Sequence, residues 1–124
     1  MKPQNVMYFT EKEKEFVRLL IDIGTRKNVA QVLVFLANVP EATSRDIERG
    51  TDLRQPEVSL AMHYLIGQDW IRIRESKAEG KGRPVKIYSL SKTIDKIMIS
   101  IEKETKEQAK QQIARVQKLR EYIP

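Results

Sequence analysis

Gln55, Ser59 and His63 stand four residues apart, and on a helix that spacing stacks an amide, a hydroxyl and an imidazole along one face. Such groups exchange hydrogen bonds without a fixed charge, which suits nucleobase edges or phosphate oxygens. The same segment projects Arg54, Glu57, Leu60 and Tyr64. Tyr64 adds a second hydroxyl, and Leu60 suits a methyl group such as that of thymine. Glu57 either accepts from the amino group of cytosine or favours the helix N-terminus; phosphate repels it, so the second reading is preferred. The plainer account of all these residues is a solvated polar face. His63 stands evenly between a groove contact and a partly packed surface histidine.

A second group is cationic. Arg72, Arg74, Lys77, Lys81, Arg83 and Lys86 fall close together, and each can neutralise a phosphate and release its counterions. Arg83 lies beside Gly80, Gly82 and Pro84; small residues let the backbone approach closely, and a guanidinium suits a narrow minor groove. The competing account is a soluble hairpin protected by charge against edge-to-edge pairing.

The charge distribution separates the two groups. The 124 residues carry a net charge of +6. Residues 1–69 hold nine Lys and Arg against ten Asp and Glu, residues 70–90 hold six against two, and residues 91–124 hold eight against five. No lysine or arginine follows Arg54 until Arg72, so attraction to a polyanion has to come from the later segments.

Positioning these groups requires a series of short elements. Residues 1–9 read as an arm ending in Met7-Tyr8-Phe9. Thr10 with Glu13 forms a capping box, followed by Phe16, Leu19, Leu20 and Ile23 at helical spacing, with Gly24 placed to end the helix. Thr25 can cap a second helix, apolar on nearly every side from Val29 to Ala37 and therefore the expected buried centre. Thr43 with Asp46 begins a short helix ending near Gly50, and the turn Gly50-Thr51-Asp52 leads to Leu53, a core anchor. Pro56 suits the first turn of a helix running to about Gln68, with Val58, Met62 and Leu65 facing the core. Trp70 and Ile71 read as core rather than contact. Trp70–Arg74 alternates apolar and basic as a half-buried strand does, Ser76–Pro84 is a loop, and Val85–Leu90 returns. Tyr88 is left open between packing and hydrogen bonding. Ser91 can cap a last helix whose stripe includes Ile94, Ile97, Ile101, Ala109, Ile113 and Val116.

Composition narrows the classes. Hydrophobic residues make up 40% of the chain and charged residues 32%, enough for one modest domain. There is no cysteine, which removes disulfides, thiolate metal sites and a cysteine nucleophile. Neither a signal-peptide run nor a stretch of membrane-spanning length occurs, so a cytoplasmic protein is expected. No phosphate-binding loop, nucleophile with base, or metal-ligand spacing is found, so neither enzyme activity nor a cofactor nor a metal is expected.

Three segments together resemble the winged helix-turn-helix of ArsR-, MarR- and TrmB-type transcriptional regulators, most of all the small archaeal ones. They are Ala42-Thr43-Ser44-Arg45-Asp46-Ile47, Leu53-Arg54-Gln55-Pro56-Glu57-Val58-Ser59 and Gly80-Lys81-Gly82-Arg83-Pro84-Val85-Lys86-Ile87-Tyr88. The resemblance implies a mainly α fold, with a three-helix core plus a β-hairpin wing. It makes Gln55–Gln68 the recognition helix and Ile71–Leu90 the wing, with homodimerisation through the first and last helices. The expected organisation is an arm at 1–9, a DNA-binding domain at 10–90 and a dimerisation helix at 91–124. The expected function is that of a dimeric, sequence-specific regulator of transcription on double-stranded DNA, repression being the default mode. A protein-interaction module in a transcription, replication or chromatin complex is the alternative. The chain departs from the ArsR metal sensors in lacking their cysteine and histidine clusters, and from TrmB proteins in having no residues for a sugar-binding domain. A small-molecule effector therefore has no support.

Overall fold

The computed structural model describes residues 9–77 and 83–124, so the arm up to Tyr8, and Lys81 in the hairpin tip, lie outside the described residues. The Thr10 hydroxyl accepts from the Glu13 amide at 3.1 Å and Glu13 Oε1 accepts from the Thr10 amide at 2.8 Å, opening α1 (Glu11–Asp22). Gly24 ends it in the left-handed conformation, φ 108°, with the Gly24 and Thr25 amides bonded to the carbonyls of Ile21 and Leu20. This closure uses Thr25. The second helix, α2 (Lys27–Asn38), therefore starts after Arg26 with no side-chain cap, contrary to the sequence expectation.

Val29, Ala30 and Val32 through Leu36 are all buried, so α2 is the centre of the fold. Against it α1 buries Val17 and Leu20. The expected inward stripe differs, because Leu19 and Ile23 are 54% and 48% exposed. The sequence of α1 carries two apolar stripes, and one helix can turn only one of them toward α2.

The Thr43–Asp46 box opens α3 (Ser44–Thr51), and Ile47 is fully buried. Gly50 lies inside its last turn rather than in the turn that follows. A Cβ at Gly50 would collide with the Phe35 ring, so glycine is needed there for close helix approach. The helix ends one residue later, where the buried Thr51 hydroxyl donates to the Ile47 carbonyl at 2.6 Å and accepts from the Leu53 amide at 3.3 Å. Asp52, at φ 60°, makes the left-handed turn into α4 (Gln55–Gly67). Beyond α4, Asp69 at φ 65° makes another, with the Asp69 and Trp70 amides bonded to the carbonyls of Ile66 and Leu65.

β1 (Ile71–Lys77) and β2 (Pro84–Leu90) pair antiparallel, with Ile71 opposite Leu90 and Lys77 opposite Pro84. The link between α2 and α3 adds a third short piece. The Ala42 amide donates to the Tyr88 carbonyl at 2.9 Å and the Tyr88 amide donates back to Ala42 at 2.8 Å. With α2, α3 and α4 packed on one another and the hairpin attached, the chain through Thr93 is a mainly α winged helix-turn-helix unit.

The second unit, from Ile94 onward, is the helix α5 (Ile94–Arg120) with a short tail. Ser91, the expected cap of this helix, instead closes the base of the hairpin. Its amide donates to the Trp70 carbonyl at 2.8 Å and its hydroxyl to the Asp69 carbonyl at 2.9 Å. Ile97 is buried, whereas Ile99, Ile113, Val116 and Leu119 are exposed.

The tight Gly50–Phe35 approach is testable. Gly50→Ala forces the ring or α3 to shift, and the expected loss is about 1–3 kcal/mol by urea unfolding. A wild-type midpoint in the variant would show that the ring moves aside at no cost.

Candidate nucleic-acid interface

The burial of Val58, Ala61, Met62 and Leu65 decides which way α4 faces. Pro56, Leu60 and His63 lie opposite that stripe, Gln55 and Ser59 along one edge, and Glu57 and Tyr64 along the other. All of these are exposed, and Leu60, at 62%, is a large apolar side chain left in solvent at the middle of the outer face.

The two edges differ. The Glu57–Tyr64 edge is tied into the fold: Glu57 Oε1 accepts from the Arg54 amide at 2.9 Å, and its carbonyl accepts from Asn28 Nδ2 at 3.1 Å. The Tyr64 ring stands edge-on to Trp70, with centroids 6.5 Å apart and planes at 78°. A cleft of about 490 Å³ on this side includes Lys27 but also the carboxylates of Asp52 and Glu57, which suit phosphate poorly. The Gln55–Ser59 edge opens into another cleft, of about 320 Å³, shared with Ser44 of α3 and Tyr88 of β2. Sequence reasoning passed over Ser44 and left Tyr88 undecided. What brings them beside α4 is the Ala42–Tyr88 bridge, and two hydrogen bonds leave no periodic trace in a sequence.

On the wing, Arg72 and Arg74 are two apart on β1 and so share a face. Arg74 is already engaged: its Nε donates to Glu41 Oε2 at 2.9 Å and its Nη2 to Glu41 Oε1 at 2.8 Å. These hydrogen bonds hold the Glu41 carboxyl below the usual glutamate range and raise the Arg74 guanidinium, with the charge attraction reinforcing both. With side chains 53% and 46% exposed, the pair adds little stability. Its importance is geometric, since it ties β1 to the link before α3 a second time. Arg72, Lys77, Arg83 and Lys86 are exposed and have no ion-pair partner among the described residues. The cations expected to grip phosphate thus include one, Arg74, that is bound within the protein.

Among the described residues no His, Asp and Glu side chains converge in a group that could hold a metal ion. No helix among them is long and apolar enough to cross a membrane.

The chain is similar in structure to a protein of Methanosarcina mazei Go1 named as a possible transcriptional regulator. The TM-score is 0.61 at 16% sequence identity, and the likeness covers 90% of this chain and 89% of that one. It is also similar to a PadR family transcription regulator from hypervirulent Clostridium difficile R20291, with a TM-score of 0.44 at 18% identity over 71% of this chain and 96% of that one. No protein-family model matches the chain, and no curated protein matches it in sequence. The Methanosarcina likeness, over nine-tenths of both chains, establishes a shared fold.

The Glu41–Arg74 pair makes its own prediction. Glu41 should titrate by carboxyl NMR below the 4.5 of a free glutamate, and Arg74→Ala should remove the shift. Because folding depresses this pKa, the pair's contribution is complete above the ordinary glutamate range and is lost as pH falls through the lowered value. An unshifted Glu41 in the wild type would mean the pair does not persist in solution.

Proposed function

We propose that the chain is a sequence-specific regulator of transcription that binds double-stranded DNA as a homodimer in the cytoplasm and represses by covering a promoter, in the manner of ArsR-, MarR- and TrmB-type proteins. The carrying observation is one of placement. The outer face of α4 is unoccupied by the protein's own fold, and beside it stands a hairpin with four cations that have no ion-pair partner among the described residues. The shared fold with a protein named as a possible transcriptional regulator supports the same reading.

In this reading residues 10–90 form the DNA-binding domain. α4 enters the major groove, where His63, Gln55 and Ser59 exchange hydrogen bonds with base edges or backbone phosphates and Leu60 meets a thymine methyl. Glu57, fixed in its cap, and Tyr64, held against Trp70, border the contact. Arg72, Lys77, Arg83 and Lys86 neutralise backbone phosphates, with Arg83 reaching toward the minor groove. The protein performs no catalysis and needs no cofactor. Homodimerisation uses the last helix, supported by exposed Ile113 and Val116 on a stripe with Ile101 and Ala109, and by Leu19 and Ile23 left in solvent on α1. Two-fold symmetry then matches palindromic half-sites.

Titration of duplex DNA across salt concentrations tests the reading. A steep salt dependence is expected, and Arg83→Ala should lower the slope of log affinity against log salt by about one. Arg74→Ala should lower it less, because Glu41 already neutralises that guanidinium. Absence of duplex binding at low salt refutes the proposal and favours the protein-interaction alternative. For the dimer, sedimentation equilibrium at micromolar concentration should give twice the 14.5 kDa chain mass, shifted toward monomer in Ile113→Glu. A monomeric wild type refutes the seam.

A further inference from the structure

The cleft between α4 and the wing is walled by the side chains of Ser44, Gln55, Ser59, His63 and Tyr88 over an apolar floor that includes Met62. Among the described residues none of these five has a hydrogen-bond partner for its side chain within the protein. Unused hydrogen-bonding groups from three separate elements therefore face one space of about 320 Å³. Their positions are well held. Both backbone polar groups of Tyr88 are bonded to Ala42, and Ser44 follows directly on the Thr43 cap at the start of α3.

Resting on the reading of α4 as the recognition helix, we propose that this cleft seats one sugar–phosphate unit of the DNA backbone, with the hydroxyls of Ser44 and Tyr88 donating to its phosphate. Three observations select that chemistry. No carboxylate lines the cleft, in contrast to the larger cleft on the far edge of α4, so an anion is not repelled. Ser44 opens α3, whose dipole adds partial positive charge at that end, offset in part by the Asp46 carboxylate that accepts from the Thr43 amide. The apolar floor of Val58, Met62 and Ile66 gives a deoxyribose a surface to lie on, which a free phosphate ion does not need. Hydroxyls and amides commonly make such backbone contacts and set the register of a protein on the duplex.

This assignment divides the α4 residues. Gln55 and Ser59, on the cleft edge, share the phosphate with Ser44 and Tyr88, while His63 and Leu60 project further out toward the bases. It also yields a signature that separates this contact from the wing cations. A neutral donor holds a phosphate without displacing a counterion, so its loss lowers affinity without changing the salt slope.

The test uses the full-length protein and a duplex enriched from a random pool for tight binding. Tyr88→Phe and Ser44→Ala should each weaken duplex binding by about three- to tenfold, the net worth of one hydrogen bond, with the salt slope unchanged. Methylphosphonate placed at single backbone positions should identify one phosphate whose neutralisation is non-additive with Tyr88→Phe. Thermal melting of both variants guards against misfolding, and Ser44→Ala stands alone if Tyr88→Phe melts early. Unchanged affinity in both variants, a fall in slope, or additivity at every phosphate overturns the proposal. An NMR titration with inorganic phosphate distinguishes the source. Saturable shifts at Ser44 and Tyr88 alongside unaltered duplex binding in the variants would assign the cleft to free phosphate instead. If the wild type binds no duplex, the underlying regulator reading fails; if it binds and only the variants are silent, the cleft assignment fails alone.

Discussion

Two main-chain hydrogen bonds between Ala42 and Tyr88 decide how this fold presents a surface. A two-stranded hairpin has no stability of its own in water and no reason to hold a fixed angle. A single bridge joins β2 of the two-stranded hairpin to the segment that leads into α3, and the bidentate Glu41–Arg74 pair fastens β1 to the same segment. Because α3 packs on α4, this anchoring relates the wing to the candidate recognition helix. It also sets Tyr88 beside the start of α3, where Ser44 and the α4 side chains line the same cleft.

The contrasts among helix ends follow from how few residues the connections contain. Residues 23–26 must both close α1 and open α2, and the closure wins: Gly24 and Thr25 satisfy α1 carbonyls, while Arg26 at the start of α2 offers no side-chain cap. Around α4 the left-handed turns are made by Asp52 and Asp69, non-glycine residues that tolerate positive φ, while a glycine is used where α3 meets the Phe35 ring of α2. Gly50 is thus a packing residue and Asp52 the turn residue.

That division explains what was legible in the sequence. Elements with strong periodicity or complete cap signatures could be read directly: the Thr10–Glu13 and Thr43–Asp46 boxes, the apolar run of α2, and the inward Val58, Met62 and Leu65 of α4. Three-dimensional competition could not. Phe16, Leu19 and Ile23 are as helical in spacing as Val17 and Leu20, and only the orientation of α1 on α2 selects between them. Ser91 resembles a cap until the base of the hairpin claims it. For the candidate site, the outer face of α4 followed from its core stripe, whereas the commitment of Arg74 to Glu41 joins residues thirty-three positions apart, beyond any local pattern. The meeting of Ser44 and Tyr88 in one cleft, forty-four positions apart, is illegible for the same reason, which left Tyr88 undecided and Ser44 unremarked.

The absence of positive charge on α4 after Arg54 has a consequence for how such a protein finds a site. Under the proposed function, the wing holds any duplex it meets, with little regard to sequence, and the chain stays associated while moving along it. A helix without cations adds almost nothing to that travelling state and so does not slow it. Its discrimination arises only where outward side chains such as His63 and Leu60 meet a matching pattern of bases. Searching and stopping are then assigned to different parts of one small fold, and the outer residues of α4 can be exchanged for a new target while the capacity to search is left intact.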